Sequence, residues 1–333
     1  CGSLTKAQDV FNMLPFRNVV SWTALIGGYA QYNQGQEALD CFEQMKSQGL
    51  SPDAITYACC LKACGSLGAL DIGTEMHADI ERQRSLKKGL LVSNALIDMY
   101  AKCGFLVKAQ EVFDMLPIRD VISWTALISG YVQQDHGEEA IECFEKMKVQ
   151  DVLPNDVTFS CIMKACGAMG ALDKGKEIHA EIEQKGLLKR SQLIGNALVD
   201  MYAKCGMLVK AREAFENLPA RDVVSWTVLI TGYAQVGEVN NVLAIFDRML
   251  GEGTKPNLVT FVAILNVCSH SGLIDMGLSF IEAMNDEYGL TPTLEHHTCI
   301  VDILGRAGQI DKAVRVMKRM PSYPNIVLWL TIL

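Results

Sequence analysis

Half of the 333 residues are hydrophobic, and 38 acidic side chains outnumber 30 basic ones for a formal charge of −8. So apolar a chain can bury a large core, which excludes disorder, and none of its apolar runs reaches the ~18 residues a membrane span needs. Taken alone, the acidity argues against nucleic acid, where phosphate neutralisation normally dominates affinity.

CGSLTKAQDVFNMLP from Cys1 returns as CGFLVKAQEVFDMLP from Cys103 and CGMLVKAREAFENLP from Cys205. VVSWTALIGGYA from Val19 returns as VISWTALISGYV from Val121 and VVSWTVLITGYA from Val223. NALIDMYAKCG from Asn94 returns as NALVDMYAKCG from Asn196, and every one of these steps is 102 residues. A fixed period marks an array.

In chain order, residues 1–18 are the tail of one unit. Units of 35, 36 and 31 residues follow at 19–53, 54–89 and 90–120, and again at 121–155, 156–191 and 192–222. The third round is 223–257, 258–293 and a 32-residue relative at 294–325, after which 326–333 change character. Within 19–53, Leu25, Ile26 and Tyr29 mark one apolar stripe and Ala38, Leu39, Phe42 and Met45 a second, both at helical spacing. Gly35 is expected to stop the first helix, and Gly49 followed by Pro52 to close the second. CGSLG, from Cys64 to Gly68, reads as a turn between helices. One such hairpin cannot bury its stripe alone, so neighbours must stack. The expected fold is all-α: an α-solenoid superhelix of helix-turn-helix repeats, whose hand periodicity does not fix.

The twelve cysteines include no Cys-x-x-Cys pair and sit inside apolar helical patterns, as at Cys41, Cys64, Cys103, Cys143, Cys166 and Cys205. They are expected to be reduced and buried, in a reducing compartment. His179 and Glu181 satisfy the H-x-E half of a zinc-deaminase motif, but no P-C-x-x-C exists to complete it. His77 and Asp79 fill the same place one round earlier. His296, His297, His270, Cys268 and Cys299 lack paired ligand spacing. With neither a phosphate loop nor a nucleophile constellation, the chain is expected to be no enzyme by itself and to need no cofactor. It begins at Cys1 without a Met or a targeting segment and reads as a fragment.

Two families of helical hairpins have this size. The tetratricopeptide pattern W-x2-L-G-x2-Y at period 34 matches Trp22, Leu25 and Tyr29, but its Gly position holds Ile26, Ile128 and Ile230. A protein-binding scaffold of that type is the alternative reading. The chain more closely resembles the pentatricopeptide repeat (PPR) family, in its plant PLS subclass. SWTALIGGYA resembles a P motif, KACGSLGALDIGTEMHADI (Lys62 to Ile80) an L motif and NALIDMYAKCG an S motif. SHSGLIDMG (Ser269 to Gly277) and LEHHTCIVDILGRAG (Leu294 to Gly308) resemble the C-terminal L and S variants, and VLWLTIL (Val327 to Leu333) the opening of the E region.

The resemblance implies single-stranded RNA bound one base per repeat. In the family the fifth and last residues of a motif reach the base edge, and apolar second residues sandwich the base. Here the P and S pairs are Thr23/Asp53, Asn94/Asp120, Thr125/Asn155, Asn196/Asp222 and Thr227/Asn257, with Thr298/Asn325 a weaker addition. The sandwiching residues are Val20, Leu91, Ile122, Leu193 and Val224. A carboxylate only accepts hydrogen bonds and suits the ring N–H of uracil or guanine, whereas an Asn amide can also donate to the ring nitrogen of adenine or cytosine. That Thr at the fifth place sorts purine and Asn pyrimidine comes from the family. Together these give G-n-U-A-n-U-A-n, 5′ to 3′, over residues 19–293. The L pairs Ala58/Gly89, Ser160/Ser191 and Val262/Thr293 fit poorly. A plainer role for Thr and Asn at fifth positions is helix capping. It does not explain why Thr marks all three 35-residue units and Asn both 31-residue units.

The first helices carry Asp98, Asp156, Asp200, Glu295 and Asp302 against Lys62, Lys102, Lys164, Lys204 and Arg306, a neutral face. The excess acid lies in second helices such as HGEEAIECFEK (His136 to Lys146), expected to point outward. Lys102 and Lys204 resemble the family's phosphate-contacting lysines, and they are equally placed for i,i+4 pairs with Asp98 and Asp200. The subclass further implies organellar C-to-U RNA editing in the mitochondrion or chloroplast. A DYW-type deaminase domain, downstream or on another protein, would supply the chemistry. Multiple organellar RNA editing factor proteins are the implied partners at the L motifs.

Overall fold

The computed structural model describes residues 4–83 and 89–319, and these hold nineteen α-helices and no strand. Asn325 and residues 326–333 lie outside the described residues, as do 1–3 of the first partial unit. The chain divides into two compact units, Cys1–Ala165 and Cys166–Leu333.

The first unit holds α1 (Leu4–Met13), α2 (Val19–Gln31), α3 (Gly35–Ser47), α4 (Ala54–Leu67), α5 (Leu70–Arg82), α6 (Leu90–Lys102), α7 (Leu106–Asp114), α8 (Val121–Gln133) and α9 (Gly137–Val149). The boundary between units falls within α10 (Asp156–Met169). The second unit continues with α11 (Leu172–Gln184), α12 (Gln192–Lys204), α13 (Leu208–Glu216), α14 (Val223–Gln235) and α15 (Val239–Gly251). It ends with α16 (Leu258–His270), α17 (Ile274–Asp286), α18 (Leu294–Arg306) and α19 (Ile310–Arg319).

Within each unit, hairpins such as α2 with α3 and α12 with α13 pack their own two helices together, and first helices also pack on the next first helix. In the first unit α2 meets α4, α4 meets α6 and α6 meets α8; in the second α12 meets α14, α14 meets α16 and α16 meets α18. The cause is visible in α2. Trp22, Leu25 and Ile26 are buried on one side, while Val20 and Ala24 on the other are exposed. The second helices α3 and α9 are amphipathic: Ala38, Phe42 and Met45 or Ala140, Phe144 and Met147 are buried, and Glu138, Glu139 and Glu142 are exposed. The acidic run of α9 therefore faces solvent, as expected for that helix.

The aromatic residues repeat as a clamp. Phe11 meets Trp22 edge-on at 4.6 Å, Phe113 meets Trp124 at 4.6 Å and Phe215 meets Trp226 at 4.7 Å between ring centroids. Arg17, Arg119 and Arg221 lie over those same Phe rings at 4.9, 4.9 and 5.2 Å.

Two turns differ from the sequence expectation. Gly35 does not stop a helix; it opens α3, and a Cβ there would come within 2.9 Å of the Leu67 side chain. The left-handed turn residue is Asn33 (φ 60°), with Asp135 (φ 60°) and Gly237 (φ 76°) in the same place later, all types that tolerate that conformation. Likewise Cys64 to Leu67 are the last turn of α4, and only Gly68 (φ 68°) leaves the helix. The small residues CG at 64–65 serve packing: a Cβ on Gly65 would sit 3.3 Å from the Met99 backbone of α6.

All eleven cysteines among the described residues are free, and seven are buried. Burial pushes Cys41, Cys143, Cys166 and Cys268 up to about 11 and Cys64 and Cys299 up to about 12. Because the thiolate is the nucleophile, iodoacetamide at pH 8 should leave these six unlabelled on a timescale that fully alkylates the unfolded chain. Mass spectrometry of the native protein that finds Cys64 or Cys299 modified at the unfolded rate would contradict the packing.

Candidate nucleic-acid interface

The last residue of a unit is delivered by the chain just before the next first helix. In the 35-residue units the residue ahead of it is Pro52, Pro154 or Pro256, which fixes one backbone torsion of the approach. In the 31-residue units it is Arg119 or Arg221. These guanidiniums bond back to Asp114 O at 3.2 Å and Glu216 O at 3.3 Å, as Arg17 does to Asn12 O at 3.4 Å.

Each of these last residues caps the helix it precedes. Asp53 accepts from Thr56 N at 2.8 Å, Asp120 from Ser123 N at 2.8 Å and Asn155 from Thr158 N at 2.9 Å. Asp222 accepts from Ser225 N at 2.8 Å and Asn257 from Thr260 N at 2.9 Å. Helix capping, the plainer role for fifth-position residues, falls instead to these last residues. Thr23, Asn94, Thr125, Asn196 and Thr227 lie inside their helices, four residues past the start, where the backbone N–H groups already have partners. The orphan donors belong to the next helix, and the last residue of each unit satisfies them.

Fifth and last side chains meet in two ways. In the 31-residue units the contact is direct: Asn94 Nδ2 donates to Asp120 Oδ1 at 3.2 Å and Asn196 Nδ2 to Asp222 Oδ1 at 3.4 Å. Burial raises the Asp120 carboxyl, but bonds from the Ser123 amide and hydroxyl, from Asn94 and from the Ile122 amide outweigh it and hold the group below the ordinary carboxylate range. In the 35-residue units a buried hydroxyl stands between. Thr23 Oγ1 lies 2.6 Å from Thr56 Oγ1, which donates to Asp53 Oδ1 at 2.8 Å. Thr125 meets Thr158 at 2.7 Å and Thr227 meets Thr260 at 2.8 Å, each of those partners bonding Asn155 or Asn257 at 2.9 Å. Thr298 bonds Leu294 O at 2.8 Å, and Asn325, its proposed mate, is outside the described residues.

Beside these polar pairs, Val20, Leu91, Ile122, Leu193 and Val224 are 44–72% exposed, each the second residue of a first helix. All five are aliphatic and all are exposed at the same helical position. The sequence reading missed that the 36-residue units do the same with Ile55, Val157 and Val259. It also missed the relay hydroxyls Thr56, Thr158 and Thr260. Counting second and third positions in every unit finds both sets. The unit at 294 departs, carrying exposed Glu295 at its second position. Among the L pairs, Ser160 is buried, Gly89 offers no side chain and Ser191 caps α12.

The cations are largely neutralised. Lys102 pairs with Asp98 and Lys204 with Asp200, both at 2.7 Å, and Arg306 with Asp302 at 2.9 Å. Lys62 and Lys164 are exposed and enter no ion pair among the described residues. The sequence decoys are structural: His179 Nδ1 bonds Tyr202 OH and His77 Nδ1 bonds Tyr100 OH, both at 2.8 Å. His296 uses one ring nitrogen on Thr293 Oγ1 at 2.7 Å and the other on Leu258 O at 2.9 Å. No helix among the described residues is long and apolar enough to cross a membrane.

Comparison with known proteins identifies the repeats. The PPR repeat family model matches residues 17–66, 119–168 and 221–270, and the PPR repeat model matches 92–121, 157–187, 196–223, 259–287 and 295–323. A pentatricopeptide repeat-containing protein of Arabidopsis thaliana named chloroplastic is 38% identical over 98% of this chain and 37% of its own length. One named mitochondrial, from the same plant, is 36% identical over 98% of this chain and 47% of its own. The chain spans about half the length of the curated relatives it matches. The crystal structure of the repeat protein PPR10 in complex with an 18-nt psaJ RNA element superposes with a TM-score of 0.64, at 18% identity, over 100% of this chain and 54% of that one. That likeness is one of fold, an all-α repeat solenoid. By these matches the chain belongs to the pentatricopeptide repeat family.

Proposed function

We propose that the chain binds single-stranded RNA one base per repeat, reading G-n-U-A-n-U-A-n from 5′ to 3′ over residues 19–293. The observation that carries this is the recurring cluster of one bare aliphatic side chain beside a polar pair joined directly or through one Thr hydroxyl. An aliphatic residue at the second position supplies a face for a base, and the pair supplies its edge. Where Asp is last, its free lone pairs accept the N–H of uracil or guanine. Where Asn is last, its oxygen is committed to the helix cap, which turns Nδ2 outward as a donor to adenine or cytosine.

Lys102 and Lys204 would share a phosphate with Asp98 and Asp200, so electrostatics contributes little and sequence contributes most. The same reading makes the chain the specificity module of organellar C-to-U RNA editing. A DYW-type deaminase would act on a cytidine 3′ of the bound stretch, with multiple organellar RNA editing factor proteins as partners at the L motifs. Relatives named mitochondrial and chloroplastic support an organellar location.

Fluorescence anisotropy with an RNA carrying GNUANUAN, against a scrambled strand of the same composition, tests the reading. The scrambled strand should bind at least about tenfold more weakly, with each wrong base costing about 1–3 kcal/mol. The slope of log affinity on log salt should be no steeper than about −2, given about −0.7 for each neutralised phosphate on a single strand. Equal affinity for both strands, or a steep slope, would sink the proposal.

A further inference from the structure

Thr56, Thr158 and Thr260 are each fully buried, with 0% exposure, and each stands between a fifth-position Thr and the last residue of the preceding unit. We infer that Thr56 is a specificity-determining positioning residue: it sets the direction of the hydrogen bond at Thr23, so that Thr23 offers a bound base only lone pairs. The inference rests on the RNA-reading proposal and deepens it.

The hydrogens can be counted. A hydroxyl has one. The Asp53 carboxylate has none to give, so the 2.8 Å contact uses the Thr56 hydrogen, directed at Asp53 Oδ1. The 2.6 Å contact between Thr23 and Thr56 must then use the hydrogen of Thr23. Nothing remains on Thr23 to donate outward, and both of its lone pairs stay free to accept. Thr125 and Thr227 reach the same state by a shared route. Each lies 2.6 or 2.7 Å from the carbonyl of Val121 or Val223 and 2.7 or 2.8 Å from the relay Thr, so its single hydrogen is held inside either way.

This polarity discriminates between the two bases that Asp53 alone accepts. The N1–H of guanine is flanked on one side by an amino group, a donor that an acceptor-only hydroxyl receives. The N3–H of uracil is flanked on both sides by carbonyl oxygens, which such a hydroxyl repels. The preference of a Thr/Asp pair for guanine therefore follows from a side chain that no base touches. Thr23 is the place to test it, because its hydroxyl has no second partner among the described residues, whereas Thr125 and Thr227 retain a carbonyl.

Thr56→Val keeps the shape and removes the relay; Thr56→Ser keeps the hydroxyl. With the full chain, affinities are measured for GNUANUAN and for UNUANUAN, together with melting temperature. In Thr56→Val the G-to-U affinity ratio at the first base should fall about fivefold or more, the worth of one directed hydrogen bond. Thr56→Ser should keep the wild-type ratio, and discrimination at the U and A read by Asn94/Asp120 and Thr125/Asn155 should not change in either variant. A ratio unchanged in Thr56→Val, or affinities for both strands falling in parallel with the melting temperature, would overturn the relay and leave Thr56 a cap-supporting core residue. A wild-type chain that does not prefer G at that base would overturn the RNA-reading proposal itself, and the relay with it.

Discussion

Asp53→Asn will move the first base preference from G towards A, changing the ratio of the two affinities by about tenfold to a hundredfold, and will leave the melting temperature within about 1 °C of wild type. The second half of that expectation gives the first its force. Asp53 caps α4 through Thr56 N, and Asn155 and Asn257 perform the same task at the same places with nearly the same distances, 2.9 Å against 2.8 Å. Asp and Asn are equivalent caps. The substituted amide would direct its oxygen at Thr56 and its NH2 outward, replacing an acceptor by a donor where the ring nitrogen of a purine would lie. A fold defect therefore cannot imitate the switch. Asn155→Asp should produce the opposite movement at the fourth base, from A to G. Unchanged preference in both variants, at unchanged melting temperature, would show that the register of base to repeat is wrong.

The helical array was legible because its evidence is local and repeated. Apolar stripes at helical spacing, Gly and Pro at unit ends and a period of 102 each point to stacked hairpins without help from tertiary structure. The meeting of fifth and last residues was not legible from periodicity. Asn94 and Asp120 are 26 residues apart and belong to different helices, and the resemblance to a family supplied that pairing. What sequence misjudged was the reason for Gly35, and what it left open was the partner of Lys102 and Lys204. Gly35 resembles a helix stop, yet it is small because of Leu67 in the next unit. Thr23 lies inside α2, and the orphan amides of α4 are answered by Asp53. Lys102 and Lys204 stood equally for phosphate and for Asp98 and Asp200, and only the folded chain reveals the ion pairs. At Gly35 a tertiary contact overrides a sound local rule.

Gly130→Ala should destabilise the chain by about 1–3 kcal/mol, although the same exchange on an exposed helix stabilises by about 1 kcal/mol through propensity. The sign reverses because α8 crosses α6 at this residue. A Cβ built on Gly130 would fall 2.3 Å from Ala101 Cβ, and neither atom is the end of a flexible side chain that could swing away. Gly232 and Ala203 repeat the crossing between α14 and α12, where the gap is 2.6 Å. Only the helices can move, and these helices carry Asn94 and Thr125. A wedge at the crossing changes the separation of adjacent polar pairs, so RNA affinity should fall together with stability. Ala101→Gly alone should cost about 1 kcal/mol, the propensity of Gly in a helix. Combined with Gly130→Ala it returns the missing space, so the double variant should be at least about 1 kcal/mol more stable than additivity allows and should regain RNA binding. Urea midpoints for the four proteins measure the coupling, and anisotropy measures the binding. Additive midpoints, or a Gly130→Ala chain more stable than wild type, would mean that this close approach does not set the spacing between repeats.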